Sequence, residues 1–282
     1  MYFMWYVVLV IRICFSAGTK GGIGMTKKQI YYSRTYRKLR VTPKRSLILF
    51  LAVVIPGLLL LIFFMPEITG AFCNIASNIL QKLGLVTYRG VWPNRLFQKI
   101  HYLKGTAGVP TARLCVYNGL VSLAMIFLCL ILPTRNRPVS IYLTINAGIH
   151  LVSSLWFLFA GDLFPYDLED FSQLYMIQEV GIWVVFLVMT AGVTSILGDR
   201  GLGFKLGTIG GVLIYSWVFG LVRYTLFLYL LSRYSMLYMT VMYFTFGPMF
   251  DFLYLVMLYG LFINRMVNLY DSVKGREEWE WS

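Results

Sequence analysis

In a chain of 282 residues, 59% are hydrophobic and 17% aromatic, only 13% are charged, and the mean hydropathy is +0.70. A soluble protein of this length covers its surface with far more charge, so a soluble globular domain is excluded. The net charge of +13 does not point to nucleic acid either: the basic residues flank apolar runs, where anionic lipid headgroups are their counter-charge.

Residues 1–24 differ in character from the rest of the chain. The apolar stretch 1–15 is short for a span, carries only Arg12, and reads as the core of a signal peptide or as sequence outside the mature protein. Lys20-Gly21-Gly22 can be encoded by AAA GGA GGA, a purine-rich ribosome-binding site, with Ile23-Gly24 as spacer before Met25. On that reading the source is bacterial and translation starts at Met25.

The segment 25–45 is a basic arm with Lys27, Lys28, Arg34, Arg37, Lys38, Arg40, Lys44 and Arg45, followed at once by an apolar run, 46–65, long enough to cross ~30 Å of hydrocarbon. Positive-inside bias puts the arm in the cytoplasm as a topology anchor. Residues 66–113 then form an outer loop. Phe72, Ile75, Ile79, Leu80 and Leu83 recur at helical spacing. A second amphipathic helix is expected from Trp92-Pro93, with Leu96, Phe97, Ile100 and Leu103 as its stripe. Both are read as helices lying in the membrane interface.

Further spans are expected at 114–133, 140–160 and 175–197, then two arms of a hairpin within 204–264 around Ser232-Arg233-Tyr234-Ser235. Arg135 and Arg137 mark a cytoplasmic turn; Asp162, Asp167, Glu169 and Asp170, with no basic residue among them, mark an external one. The fold class is therefore all-α: a polytopic integral membrane helical bundle of six transmembrane helices plus interfacial amphipathic helices. The membrane domain is 46–264, the tail 265–282, and both termini are cytoplasmic at a bacterial cell membrane.

Chemistry-bearing residues are sparse. No Cys/His spacing marks a metal site, and no cofactor is expected. Cys73 is alone in the outer loop with His101; the pair reads either as a nucleophile and its base in a cysteine-dependent membrane peptidase, or as a buried thiol or a Cys73–Cys115 disulfide. His150, mid-span, reads as a hydrogen-bonded packing residue. The acidic loop lacks EF-hand spacing and suits the positive end of the helix after it. Gly198-Asp199-Arg200-Gly201-Leu202-Gly203 is preceded by no strand and is not a nucleotide fingerprint, while Gly207, Gly210 and Gly211 allow close helix contact in lipid.

Glu179, Arg223 and Asp251 form the intramembrane set, Asp251 near the middle of the last span. An ionisable residue at such depth is costly and is by default a site or a buried pair. Two readings stand side by side: a polar pocket opening outward in which Arg223 grips a peptide carboxylate or phosphate, and an ion pair fixing helix register.

The stretch 174–262 resembles the membrane core of the exosortase/archaeosortase superfamily, particularly its Gram-positive branch. Glu179 matches the acid of the family's Cys-Ser-Gly-x-x-Glu-like motif. Gly220-Leu221-Val222-Arg223 matches its Arg element, and Tyr243-Phe244-Thr245-Phe246-Gly247 its His-x-x-x-Gly-like element. Residues 66–84, with Thr69 and Leu83-Gly84, are similar to the family's early loop, and 114–160 would be an insertion. The family's nucleophilic Cys falls on Leu174 and its His on Tyr243, so the resemblance implies a degenerate member, a pseudoenzyme without catalytic residues. It implies binding of a C-terminal sorting-signal peptide or a membrane partner. A membrane subunit of a polysaccharide or lipid-linked glycan assembly system is the other class, with glycan-assembly proteins as partners.

Overall fold

Long apolar runs settle in hydrocarbon as helices, because only there does every backbone N–H and C=O find a partner within its own segment. The computed structural model describes residues 37–39, 43–94, 96, 98–131, 137–196, 202–270 and 279–281. The leader 1–24, most of the basic arm, the turns at 132–136 and 197–201, and most of the tail lie outside the described residues. In chain order come β1 (Arg37–Leu39), α1 (Pro43–Lys82), β2 (Tyr88–Asn94), β3 (Gln98–Lys104), α2 (Ala112–Ile131) and α3 (Arg137–Ala160). A 3-10 turn at Gly161–Leu163 precedes α4 (Leu168–Ile196) and α5 (Leu202–Arg233), and a second at Met236–Tyr238 precedes α6 (Met239–Phe244), α7 (Pro248–Tyr270) and β4 (Trp279–Trp281). The helices α1 to α5 are each long and apolar enough to cross a membrane. Their outward faces carry well-exposed side chains such as Phe63, Leu130 and Phe159, as expected of surfaces bathed in lipid.

Two expectations for 66–113 are corrected. The first amphipathic helix is not a separate interfacial element but the distal part of α1, which runs unbroken for 40 residues through Pro56 and Pro66. At about 1.5 Å per residue that is ~60 Å, roughly twice the hydrocarbon thickness. The helix stops at Gly84, whose φ of 80° only glycine adopts without penalty. There Leu85 N–H donates to Leu80 O and Gly84 N–H to Gln81 O, both at 3.0 Å, the paired bonds of a Schellman cap.

The second expected helix, from Trp92, is an antiparallel β-hairpin in which Trp92 faces Ile100 and Tyr88 faces Lys104. Leu96, Phe97, Ile100 and Leu103 do recur at helical spacing, but Tyr88, Val91, Trp92, Ile100 and Tyr102 are aromatic and β-branched, and their register across the turn decides the outcome. The turn is tied by Leu96 N–H donating to Asn94 Oδ1 at 2.8 Å. The hairpin lies on the distal half of α1. Arg89 donates to Gly70 O at 3.2 Å and to Asn74 Oδ1, Ser77 and Thr87 hydroxyls meet at 2.9 Å, and His101 N–H donates to Thr69 Oγ1 at 3.3 Å.

From there it reaches α4 and α5. Leu103 N–H donates to Ser172 Oγ at 3.1 Å and Tyr224 Oη at 2.9 Å; Tyr102 Oη donates to Glu169 Oε1 at 2.7 Å, which Lys104 also pairs at 2.6 Å. The main core therefore lies where α1, β3, α4 and α5 meet, around Phe72, Ile100, Phe171, Tyr175, Trp183 and Tyr224.

The last hairpin arm is the third correction. It is not one span but a broken one: α6 ends at Phe244, residues 245–247 turn, and α7 restarts at Pro248. Proline suits a first helical turn, where its missing N–H costs nothing. From that restart α7 runs for 23 residues, Pro248–Tyr270.

Candidate functional site

The break brings the three intramembrane charges together. Arg223 on α5 reaches Glu179 on α4, with Nη2 3.0 Å from Oε2, and Asp251 in the first turn of α7, with Nη1 2.9 Å from Oδ1. Asp251 thus belongs to the first turn of α7, not to the middle of one unbroken span. The guanidinium also holds the break itself: Nη1 donates to the carbonyls of Phe246 and Gly247, both at 3.1 Å, and Nε to Tyr175 Oη at 2.7 Å. Tyr175 Oη in turn donates to Gly220 O at 3.0 Å. The rings of Tyr175 and Phe219 lie 5.2 and 5.7 Å from the guanidinium carbon, within cation–π range.

Each feature has a local cause. An interrupted helix exposes carbonyls that hydrocarbon cannot satisfy, and Arg supplies a planar fork of donors that can. Gly220 lets Glu179 approach α5: a Cβ there would stand 2.2 Å from Glu179 Oε1. That same oxygen accepts Trp183 Nε1–H at 3.1 Å. Gly247 leaves no room either, since an added Cβ would lie 2.2 Å from Tyr243 O.

Glu179 and Asp251 are 1% exposed and Arg223 5%. The structure brings the three residues together, and among the described residues the guanidinium faces protein acceptors rather than an outward opening. One side of the cluster is left unsatisfied. Both amide atoms of the neighbouring Gln178 are buried without a hydrogen-bond partner among the described residues.

The other candidates separate clearly. Cys73 is 0% exposed, inside the core with Phe72, Ala76 and Leu80, so no substrate reaches it in this conformation. Cys73, Cys115 and Cys129 are all free thiols, which removes the Cys73–Cys115 disulfide. His101 lies against Gly70, and burial together with the Arg89 and Lys99 cations holds its imidazole below the ordinary pKa, with Glu67 opposing them. His150 packs edge-on to Tyr238, 3.5 Å from Asn118 Nδ2, and Asn118 donates to Ser154 at 2.8 Å. Asp167 and Asp170 cap α4 reciprocally, Asp170 N–H to Asp167 Oδ1 at 2.9 Å and Asp167 N–H to Asp170 Oδ2 at 3.0 Å. A Cβ added at Gly207, Gly210 or Gly211 would meet nothing within 4 Å among the described residues.

Sequence reasoning missed Tyr175, Trp183, Gly220 and the Phe246 and Gly247 carbonyls as parts of the cluster. The signal for the last two was Phe246-Gly247-Pro248, a breaker inside an apolar arm. No family model matches the chain, and comparison with curated proteins and with solved structures likewise returns no match.

Proposed function

We propose that this chain is a noncatalytic multi-pass membrane protein that binds a membrane partner, in the exosortase-like reading a sorting-signal-like tail, on a bundle whose shape is set by the Arg223 cluster. It crosses a bacterial plasma membrane six times, α6 and α7 together forming the sixth passage, with both termini cytoplasmic. The observation that carries the reading is the cluster itself. An Arg shared by two acids and two carbonyls at a helix break holds α4, α5 and α7 in one register, while the positions matching the family's thiol and imidazole are Leu174 and Tyr243, which supply neither nucleophile nor base. The pairing of β1 with β4, which brings residues 37–39 beside 279–281, supports an even number of crossings between them.

The experiment is affinity isolation of the tagged full chain from native membranes in mild detergent, beside a folded variant that lacks the charges. The triple change Glu179→Gln, Arg223→Leu and Asp251→Asn removes every charge of the cluster and leaves no unpaired ion there. A discrete membrane protein held by the parent chain and lost by the triple variant, which still melts as one cooperative unit, is the expected result. Equal retention by both would reduce the cluster to a packing element and sink the proposal.

A further inference from the structure

A long groove runs between α1 and α5, with α4 as its floor. It encloses about 960 Å³ and is lined by α1 from Ala52 to Ala71, by Trp183 and Leu187 of α4, and by α5 from Leu206 to Trp217. Gly57 is what seats α1 on that floor, since a Cβ there would touch the Leu187 side chain at 3.0 Å. We infer that this groove is the docking site for one transmembrane helix of a partner protein, carrying a cationic residue at the end that lies beside the β2–β3 hairpin.

Three features select that occupant. The first is length. Ala52 and Ala71 are about 28 Å apart along a helix rising about 1.5 Å per residue, against ~30 Å for the hydrocarbon slab. The groove therefore fits a rod that crosses the whole membrane.

The second is the rim. Of the α5 glycines Gly210 lines the groove, and a Cβ there would meet nothing within 4 Å. A glycine in the wall lets a second helix backbone approach closely, and here no helix of this chain takes the place among the described residues. An acyl chain has no backbone to exploit such a rim.

The third is charge. Every lining residue is apolar, glycine or proline except Glu67, which is exposed, sits at the hairpin end, and makes no ion pair or hydrogen bond among the described residues. At that level of the bilayer a carboxylate repels lipid phosphate and attracts a Lys or Arg flanking a partner helix.

The groove also touches the charged cluster. Trp183 forms part of its floor and donates its indole N–H to Glu179, so a seated helix would rest on a side chain held by the Arg223 site.

This inference rests on the partner-binding reading above and names where and what the partner is. The test uses the full chain in phosphatidylcholine nanodiscs. The probe is a synthetic Leu/Ala helix of about 20 residues with lysines at one end and a photoreactive residue at its centre. A glutamate-ended twin and a photoreactive acyl lipid serve as comparators. The lysine-ended helix should label Leu60, Ile214 and Trp217 saturably. Glu67→Lys should weaken that labelling about tenfold and turn the preference toward the glutamate-ended twin. Gly210→Trp, which fills the groove from an open position, should abolish labelling without loss of thermal stability; Leu226→Trp, exposed elsewhere on α5, should change nothing. Equal labelling by both helices, labelling away from the groove, or a lipid adduct that the helix cannot displace would each overturn the assignment. If Gly210→Trp still captures the native partner that the charge-free triple variant loses, the groove assignment fails and the functional reading stands. The opposite pattern would do the reverse.

Discussion

Arg223 faces two carboxylates, so its removal does more than delete one ion pair. Arg223→Leu leaves Glu179 and Asp251 buried together without a cation and frees the Phe246 and Gly247 carbonyls. Stripping one partner from a buried charge pair costs about 3–5 kcal/mol. A fall of that size in unfolding free energy is expected, read from thermal melts in detergent. Adding Glu179→Gln and Asp251→Asn should recover much of it, because the uncompensated charges disappear. Arg223→Lys should lie between: the charge persists, but an ammonium cannot reach Glu179, Asp251, Tyr175 and two carbonyls from one plane. Gly220 offers a second check. Its missing Cβ is where Glu179 Oε1 lies, so Gly220→Ala should cost about 1–3 kcal/mol through overpacking, and shortening the acid with Glu179→Asp should relieve part of that. Gly181→Ala, with nothing within 4 Å of its added Cβ, should be neutral or slightly stabilising. A Gly220→Ala protein as stable as the parent would show that the acid has somewhere else to go.

At the scale of elements, the β2–β3 hairpin depends on a partly buried histidine. His101 Nδ1 is buried without a hydrogen-bond partner among the described residues, and burial, Arg89 and Lys99 all disfavour a proton on the ring, against Glu67 in favour. Its folded pKa is below the ordinary 6.5. Below pH 6.5 the unfolded chain therefore takes up a proton that the folded chain refuses. Stability should fall as pH drops through 6.5 and level off once the folded imidazole also titrates. Melting curves between about pH 8 and pH 5 should show this slope, and His101→Gln should flatten it; an unchanged slope would put its origin elsewhere.

The hairpin also shows where sequence reading stopped. The five long spans were legible because about 20 apolar residues without charge have one solution in lipid, and the three intramembrane charges stood out for the same reason. The stretch 92–103 was not, because Leu96, Phe97, Ile100 and Leu103 satisfy a helical period while their neighbours satisfy a strand. Pairing across the Asn94 turn and docking onto Thr69, Ser172 and Tyr224 are long-range facts that no local window contains. The break at 245–247 was carried by Phe246-Gly247-Pro248, but its consequence, an Arg from another helix satisfying the freed carbonyls, was not.

Across the whole molecule, these contacts fix which loops share an end. Lys104 and Tyr102 meet Glu169, and Gly108 exchanges backbone hydrogen bonds with Leu231 and Met236, so the hairpin, the start of α4 and the turn after α5 lie together. The basic charge of the hairpin region, at odds with the positive-inside rule, is therefore set partly against the acidic start of α4. The start of α3 lies at the far end of that helix from that group, and β1 pairs with β4. The six-crossing arrangement proposed above, with α6 and α7 as one passage, would put residues 37–39 and 279–281 on one side of the membrane, in keeping with the pairing of β1 with β4. Single cysteines placed at Leu96, Asp167 and Tyr234, after replacement of the native thiols, should therefore react with a membrane-impermeant maleimide on intact cells. One at Val139, and tags at both termini, should be reached only after permeabilisation. A terminal tag accessible from outside while the other is protected would mean an odd number of crossings. The Arg223 break would then be a re-entrant turn, and the groove beside α5 would have to be reoriented with it.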